Sequence, residues 1–150
     1  MILGDDDAGT VEIAVAHREP PLSGAAGGGP ARGASGDVLV VARVRCMGFA
    51  GEADAWVDAA EWAGFVSRLD ALEQRRAGEA CVEGISPGEL RLRVFASDRV
   101  GHMAVEGLIG VRVAHCELGL TFGPIGFDPG RLPGLLAELS GDSGAGRGEP

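Results

Sequence analysis

Residues 49–78 place one long amphipathic helix directly after a short strand, and this segment constrains the fold more than any other part of the chain. Asp58 is suited to the N-cap position, and Glu61 three residues later completes a capping-box pattern. The pattern predicts a helix over residues 58–76, with Gly78 as its left-handed cap. The apolar helix positions form one stripe that has to pack against a sheet: Trp62, Phe65, Val66, Leu69 and Leu72.

Alternation of apolar and polar residues predicts the strands of that sheet. Because one side of most strands carries charged residues, we expect an antiparallel sheet with one solvated face. The sequence therefore predicts an α+β fold, in which one antiparallel sheet of about six to seven strands packs on one main helix and a short C-terminal helix begins near Pro133. The predicted strands are residues 11–16, 38–47, 52–57, 79–83, 89–95, 102–107 and 111–122.

Glycine is concentrated in two segments of the chain, which has 26 glycines among its 150 residues. Such segments offer few apolar side chains for a core and have high backbone entropy. We expect a single domain over residues 1–150, with a flexible Gly-rich loop at residues 20–36 and a disordered tail at residues 140–150.

The charge balance limits the classes of partner. A formal net charge of -9 disfavours binding to nucleic acids and to anionic membranes, since both attract Lys and Arg, whereas it favours a basic partner. The chain has no lysine or tyrosine, so P-loop, Schiff-base and tyrosine chemistry are excluded. The acidic N-terminus does not resemble a secretory signal, and no apolar run is long enough to span a bilayer, so we expect a cytoplasmic protein.

Catalytic and metal-binding patterns are weak. Three cysteines and three histidines occur without a pair at metal-ligand spacing, and His115 and Cys116 are adjacent on a predicted strand, so their side chains point to opposite faces. Asp98, His102 and Glu106 fit a turn and a solvated strand face better than an acid–base cluster. We therefore expect no metal, no cofactor and no enzymatic activity.

Charged residues on several predicted strands allow two interpretations. Arginines at positions 43, 45, 91 and 93 can form cross-strand ion pairs with nearby carboxylates, or the same charges can form a recognition face. Trp56 lies among acidic residues on its strand, and a large aromatic residue at such a position fits either a binding hot spot or a lid over the Gly-rich loop. The predicted partner-binding residues are Glu52, Asp54, Trp56, Arg91 and Arg93.

Five short motifs occur in a characteristic order from residue 49 onward. They are an F-x-G strand (49–51), the capped helix (58–76), a G-E-A phrase (78–80), a G-H-M-x-V-x-G strand (101–107) and an F-D-x-x-x-L-P-x-L helix (127–135). In these motifs the chain resembles the WapI-type immunity proteins and related uncharacterised small bacterial proteins. The resemblance covers about two-thirds of the chain.

The resemblance implies a cytoplasmic, antitoxin-like protein that neutralises a cognate toxin protein by binding it, without catalysis. The acidic balance agrees with a basic toxin, because opposite charges speed such association. The alternative is a small-ligand-binding or regulatory sensor domain that uses a curved sheet as a pocket. An enzyme ranks third, because the sequence has no convergent acid, base and nucleophile.

Overall fold

The computed structural model describes residues 1–5, 7–20 and 36–141. The predicted loop at 20–36 and tail at 140–150 lie outside these residues, except for Pro20, Gly36, Gly141 and Ser140, the last residue of the second helix. The described residues form eight strands and two α-helices: β1 (Ile2–Asp5), β2 (Gly9–Arg18), β3 (Val38–Cys46), β4 (Phe49–Val57), α1 (Ala59–Arg75), β5 (Glu79–Glu83), β6 (Leu90–Ala96), β7 (Met103–Val113), β8 (Cys116–Phe127) and α2 (Leu132–Ser140).

The strands form two antiparallel sheets of four strands each in the described part of the chain. Sheet A has the order β1-β2-β3-β4, and sheet B has the order β5-β6-β7-β8. The α+β class is therefore confirmed, whereas the prediction of one sheet of six to seven strands on one main helix is wrong. Helix α1 follows β4 and separates the two meanders along the chain, so β4 and β5 do not pair.

Both sheets turn their apolar sides toward one shared hydrophobic core. Every second residue of the central strands is buried, for example Val40, Ala42 and Val44 in β3, and Leu92 and Val94 in β6. Helix α1 packs mainly against β5 and α2 rather than under the middle of a sheet. Two apolar sheet faces bury more surface against each other than against one helix, which explains the two-sheet arrangement.

The predicted N-terminus of α1 is confirmed. The Asp58 carboxylate accepts hydrogen bonds from the backbone N–H groups of Ala60 at 2.9 Å and Glu61 at 3.3 Å. The prediction for the C-terminus is wrong, because Arg76, not Gly78, is the left-handed C-cap, with a φ of 53°. The Arg76 N–H donates to the Leu72 carbonyl at 2.9 Å, which closes the last turn, so the left-handed cap lies two residues earlier than predicted.

Each half of the chain is a four-stranded meander followed by a helical segment whose first turn an aspartate caps. Asp128 accepts a hydrogen bond from the Gly130 N–H at 2.8 Å at the start of a 3-10 turn (Pro129–Arg131) that leads into α2. The capping residue and the buried helix positions recur at one constant separation: Asp58, Trp62, Phe65 and Leu69 in the first half match Asp128, Leu132, Leu135 and Leu139 in the second. The architecture is therefore internally duplicated.

Two strand predictions need correction. The predicted strand at 111–122 is a hairpin, because the chain turns at Ala114 and His115 and β8 runs back along β7. Strand β1 was not predicted at all, yet it pairs with β2 and buries Leu3. Among the described residues, no helix is long and apolar enough to cross a membrane.

Candidate protein-binding surface

The β3–β4 hairpin meets the base of the β7–β8 hairpin at one end of the sheet pair. Gly51 lies on the inner side of β4, and a Cβ at that position would be 3.1 Å from Leu120 and 3.2 Å from Ile109. This close approach leaves no room for a side chain on β4. The glycine therefore lets the two sheets come together here.

Beyond this contact, β7 and β8 continue as a ribbon of two strands. Strand β6 pairs with β7 only as far as Ile109, opposite Leu90, and the Gly110 N–H still donates to the Glu89 carbonyl, so residues 111–113 pair with β8 alone. Val111 lies opposite Leu118, and Val113 lies opposite Cys116. Because side chains alternate along a strand, these four residues share one face of the ribbon.

The other face of the ribbon is polar. Arg112 lies opposite Glu117, and their side chains form an ion pair at 2.8 Å. The hydrogen bond to Glu117 raises the pKa of the Arg112 guanidinium. The ribbon is thus amphipathic, although all residues from Val111 to Gly119 are exposed.

Five large apolar side chains are exposed at the β3–β4 turn and on the ribbon. Met47 lies in the β3–β4 turn and is 85% exposed. Phe49 lies at the start of β4 and is 71% exposed. On the ribbon, Leu118 is 62% exposed, and two valines accompany it. We refer to this set as the apolar hairpin end: Met47, Phe49, Val111, Val113 and Leu118. A group of exposed apolar residues points to an interaction site when it forms one contiguous patch.

An open cleft of about 460 Å³ joins the two hairpins. Met47 and Phe49 line one side of the cleft, and Leu120 and Phe122 line the other. Val111 and Leu118 continue the same ribbon face beyond Leu120. The apolar hairpin end is therefore one surface that runs from the cleft along the ribbon.

Acidic residues stand beside this cleft on the β1–β2 turn. The Asp5 carboxylate accepts hydrogen bonds from the N–H groups of Asp7 at 3.0 Å and Ala8 at 2.6 Å, which fix the turn. Ala8 lines the cleft, and Asp5 lines a neighbouring hollow together with Arg45, Met47 and Phe49. Both aspartates are exposed. Negatively charged residues therefore border the apolar surface, and Arg45 neutralises their charge only in part.

The acidic residues predicted from the sequence lie elsewhere, on the outer face of sheet A. The Glu52 carboxylate is 2.6 Å from Arg43, which also contacts Glu12 at 3.2 Å. These hydrogen bonds, that to Glu52 first, raise the pKa of Arg43. Asp54 is exposed on the same face. Glu52 therefore forms a cross-strand ion pair, which is the first of the two interpretations of the charged residues given above.

Trp56 lies at the far end of β4, also on the outer face of sheet A. Its ring meets His17 edge to face, with 6.0 Å between the ring centroids. Its carbonyl accepts a hydrogen bond from the Ile85 N–H at 2.7 Å, which ties β4 to the turn between β5 and β6. The indole is 37% exposed, so part of it is available to a partner.

The predicted arginines lie on sheet B, on the outer face of β6. Arg93 is held between Glu79 at 2.6 Å and Glu106 at 2.8 Å, and its guanidinium lies 4.3 Å from the centre of the Phe95 ring. The hydrogen bonds to Glu106 and Glu79 raise the pKa of Arg93. Arg91 pairs with Glu83 at 2.7 Å. Because the two sheets share one core, these arginines and the Glu52 face do not form one surface.

The described residues include no group of three His, Cys, Asp or Glu side chains that could hold a metal ion. Cys46, Cys81 and Cys116 are all free thiols. Burial, and next to it the charge of Glu79, raises the pKa of Cys81. Asp98 and His102 do pair, but on an exposed turn without a cleft.

Sequence reasoning did not identify the apolar hairpin end. The available signal was the apolar pair Met47 and Phe49 on either side of Gly48, at a position where hairpin turns are usually polar. On the ribbon, the interpretation of residues 111–122 as one strand places Cys116, Leu118, Leu120 and Phe122 on its apolar face, so the exposure of Leu118 is not expected from the sequence.

Comparison with known proteins adds no assignment, because no protein-family model, curated protein or solved structure matches this chain.

Proposed function

We propose that this chain is a non-enzymatic, antitoxin-like factor that binds and neutralises a basic toxin protein through the apolar hairpin end. The observation that carries the proposal is the exposure of Met47, Phe49 and Leu118 on two hairpins at one end of the sheets. Leaving these side chains in water has a cost that burial in a complex removes. Large apolar anchors of this kind supply most of the binding energy in protein interfaces.

Charge supports a basic partner. The chain has a formal net charge of -9, and Asp5 and Asp7 stand exposed beside the cleft. Such a field speeds the capture of a positively charged protein and disfavours anionic ones. The resemblance to immunity proteins, carried by the order of five motifs, favours the same class of partner.

A pull-down from the native host tests the proposal. The purified chain is the bait, and we expect stoichiometric recovery of one basic toxin domain at moderate salt. Co-expression of the chain with that domain is then expected to restore growth that the domain alone stops. Recovery of no basic toxin from a host that expresses its toxins would contradict the proposal.

Two variants locate the surface. Phe49→Ser and Leu118→Ser remove apolar anchors from the hairpin end, so we expect each to weaken capture. The matched control is Val100→Ser, because Val100 is 82% exposed on the turn between β6 and β7, outside the hairpin end. Equal capture by all three variants would mean that another surface binds the toxin.

A second candidate function, binding of a small apolar ligand, is supported by the cleft between the hairpins. Its volume of about 460 Å³ is within the range of ligand sites. Met47 and Phe49 would cover such a ligand. Retention of a small molecule through purification, detected by native mass spectrometry and lost in Phe122→Ala, would favour this function over toxin binding.

A further inference from the structure

Strand β8 is the longest of the four edge strands in the described part of the chain. Strand β1, at an edge of sheet A, is only four residues long, and the end of β4 is tied to Ile85 by the hydrogen bond to Trp56. Strand β5, at an edge of sheet B, is covered by α1. Strand β8 has 12 residues, and those from Cys116 to Thr121 are exposed except for Leu120, which is half-buried.

The hydrogen bonds of Gly110 identify which backbone groups of β8 point outward. Its N–H donates to the Glu89 carbonyl at 2.9 Å, so Gly110 directs its backbone groups away from β8. In an antiparallel pair, two directly opposite residues direct their backbone N–H and C=O groups either toward each other or both away from each other. Gly110 lies opposite Gly119. Gly119 therefore directs its N–H and C=O to the open edge, and so do Glu117 and Thr121 by alternation.

This edge lacks the usual protection against strand pairing. In natural proteins, charged residues, prolines or bulges at a sheet edge prevent pairing with another strand. Here Glu117 is the one charged residue between Cys116 and Thr121, and its carboxylate is already paired with Arg112. Pro124 and the register shift of the β7–β8 pair come only after Phe122. An open edge beside an exposed apolar face is the arrangement that recruits an added strand.

We infer that the β8 edge binds an extended segment of a basic partner protein as a fifth strand of sheet B. The inference rests on the proposed function and names how the partner docks. Main-chain hydrogen bonds join the segment to Glu117, Gly119 and Thr121, and its apolar side chains extend the face that carries Leu118. Lys and Arg on the segment are attracted by the net negative charge of the chain and by the carboxylates of Asp5 and Asp7 beside the cleft.

A second copy of the chain fits the edge less well. Two copies would each bring a formal net charge of -9.

The test uses a synthetic ten-residue peptide of alternating valine and lysine, with both ends blocked. Amide hydrogen exchange of the full chain is followed by NMR with and without the peptide. At a peptide concentration ten times its Kd, we expect exchange at Glu117, Gly119 and Thr121 to slow by about tenfold. The matched peptide with an N-methyl group on every residue keeps the charge and the apolar side chains but has no N–H on either edge to form the ladder, and we expect it to leave these amides unprotected.

Gly119 offers a matched pair of variants. Gly119→Pro removes the outward N–H without breaking the β7 pairing, and we expect the peptide affinity to fall about tenfold. Gly119→Ala keeps the N–H, and its Cβ would meet only Leu108 at 3.6 Å and a backbone oxygen at 3.9 Å, so we expect the affinity to stay within about twofold. If Gly119→Pro does not fold, the N-methylated peptide still decides the question on the unaltered chain.

The outcomes separate this inference from the proposed function. A captured toxin that binds Gly119→Pro and Gly119→Ala equally would overturn strand addition and leave the proposed function standing. Peptide-dependent protection of the three β8 amides without a toxin partner would support strand addition and contradict the proposed function. Protection of the same amides that grows with protein concentration alone would overturn the basic partner in favour of a second copy.

Discussion

Val111 lies directly opposite Leu118 on the ribbon, and the two residues are 46% and 62% exposed, so neither belongs to the buried core. We predict that the double variant Val111→Thr and Leu118→Thr changes the free energy of unfolding by less than about 0.5 kcal/mol, because nothing buried is lost. The same variant is expected to weaken partner binding, since it removes two anchors. Urea denaturation and a binding titration give the two quantities.

The control for this prediction is Leu92→Ala. Leu92 is fully buried in β6, so its truncation leaves a cavity and is expected to cost about 2–5 kcal/mol. A comparable loss of stability in the ribbon double variant would show that its side chains are structural rather than exposed for binding.

The surface predicted from the sequence can be tested at Asp54. This residue is exposed on the outer face of sheet A, whereas Glu52 beside it is held by Arg43. Asp54→Arg therefore reverses a charge without breaking an ion pair. If the apolar hairpin end carries the binding, we expect the partner affinity of Asp54→Arg to stay within about twofold of wild type at 0.15 M salt, because an exposed charge at a distance is screened. A larger loss of affinity would instead place the binding site on the outer face of sheet A, at Glu52, Asp54 and Trp56.

The sequence predicted local structure well where the signal is local. The Asp58 cap, the buried stripe of α1 and the alternation of β3 all follow from residues close together in the chain, and the structure confirms them. The two-sheet arrangement was missed because it depends on which apolar faces meet, and alternation alone does not specify the partner of a face. The repeat of the α1 cap and stripe around Asp128 was readable from the sequence, and it indicated a second equivalent half.

The candidate surface was less predictable than the fold. The prediction of one strand over residues 111–122 placed Leu118 on its apolar face. The exposure of Val111, Val113 and Leu118 follows from the end of β6 at Leu90, opposite Ile109, so that no strand of sheet B continues beside the ribbon. Conversely, Arg93 has the pattern of a recognition residue, yet Glu79 and Glu106 on the neighbouring strands neutralise it. Both differences arise from which strands pair and in which register. These pairings join residues that are far apart in the sequence.

The C-cap of α1 gives a stability prediction. Arg76 holds a left-handed conformation that costs a non-glycine residue about 1 kcal/mol, so we predict that Arg76→Gly raises the free energy of unfolding by about 0.5–1 kcal/mol. Loss of the exposed ion pair with Glu73, at 3.4 Å, offsets little of this gain. The converse control is Gly78→Ala, which meets open space but has a φ of 97° and should destabilise. Thermal unfolding followed by circular dichroism measures both, and a destabilised Arg76→Gly would contradict the assignment of the cap.

The three thiols are expected to react in a defined order. Cys116 is exposed at the tip of the ribbon, whereas Cys81 is half-buried and its pKa is raised by burial and by Glu79. Since the thiolate is the reactive form, we predict that a thiol reagent at about pH 8 modifies Cys116 first and Cys81 last. Peptide mapping by mass spectrometry at short reaction times reads the order. Partner binding should slow the reaction of Cys116 if the ribbon is the interface, while Cys81 serves as the internal control.

The turn between β6 and β7 gives a pH prediction. The hydrogen bond from the His102 ring, together with the backbone N–H groups of His102 and Val100, lowers the pKa of Asp98. A carboxyl group whose folded pKa is lowered stabilises the fold above its unfolded pKa and loses that contribution as the pH falls through the folded value. We therefore predict that the advantage in melting temperature of wild type over Asp98→Asn is present at about pH 5 and disappears as the pH falls toward about 2. Scanning calorimetry of the two proteins measures it, and parallel curves over this range would show that the pair does not contribute to stability.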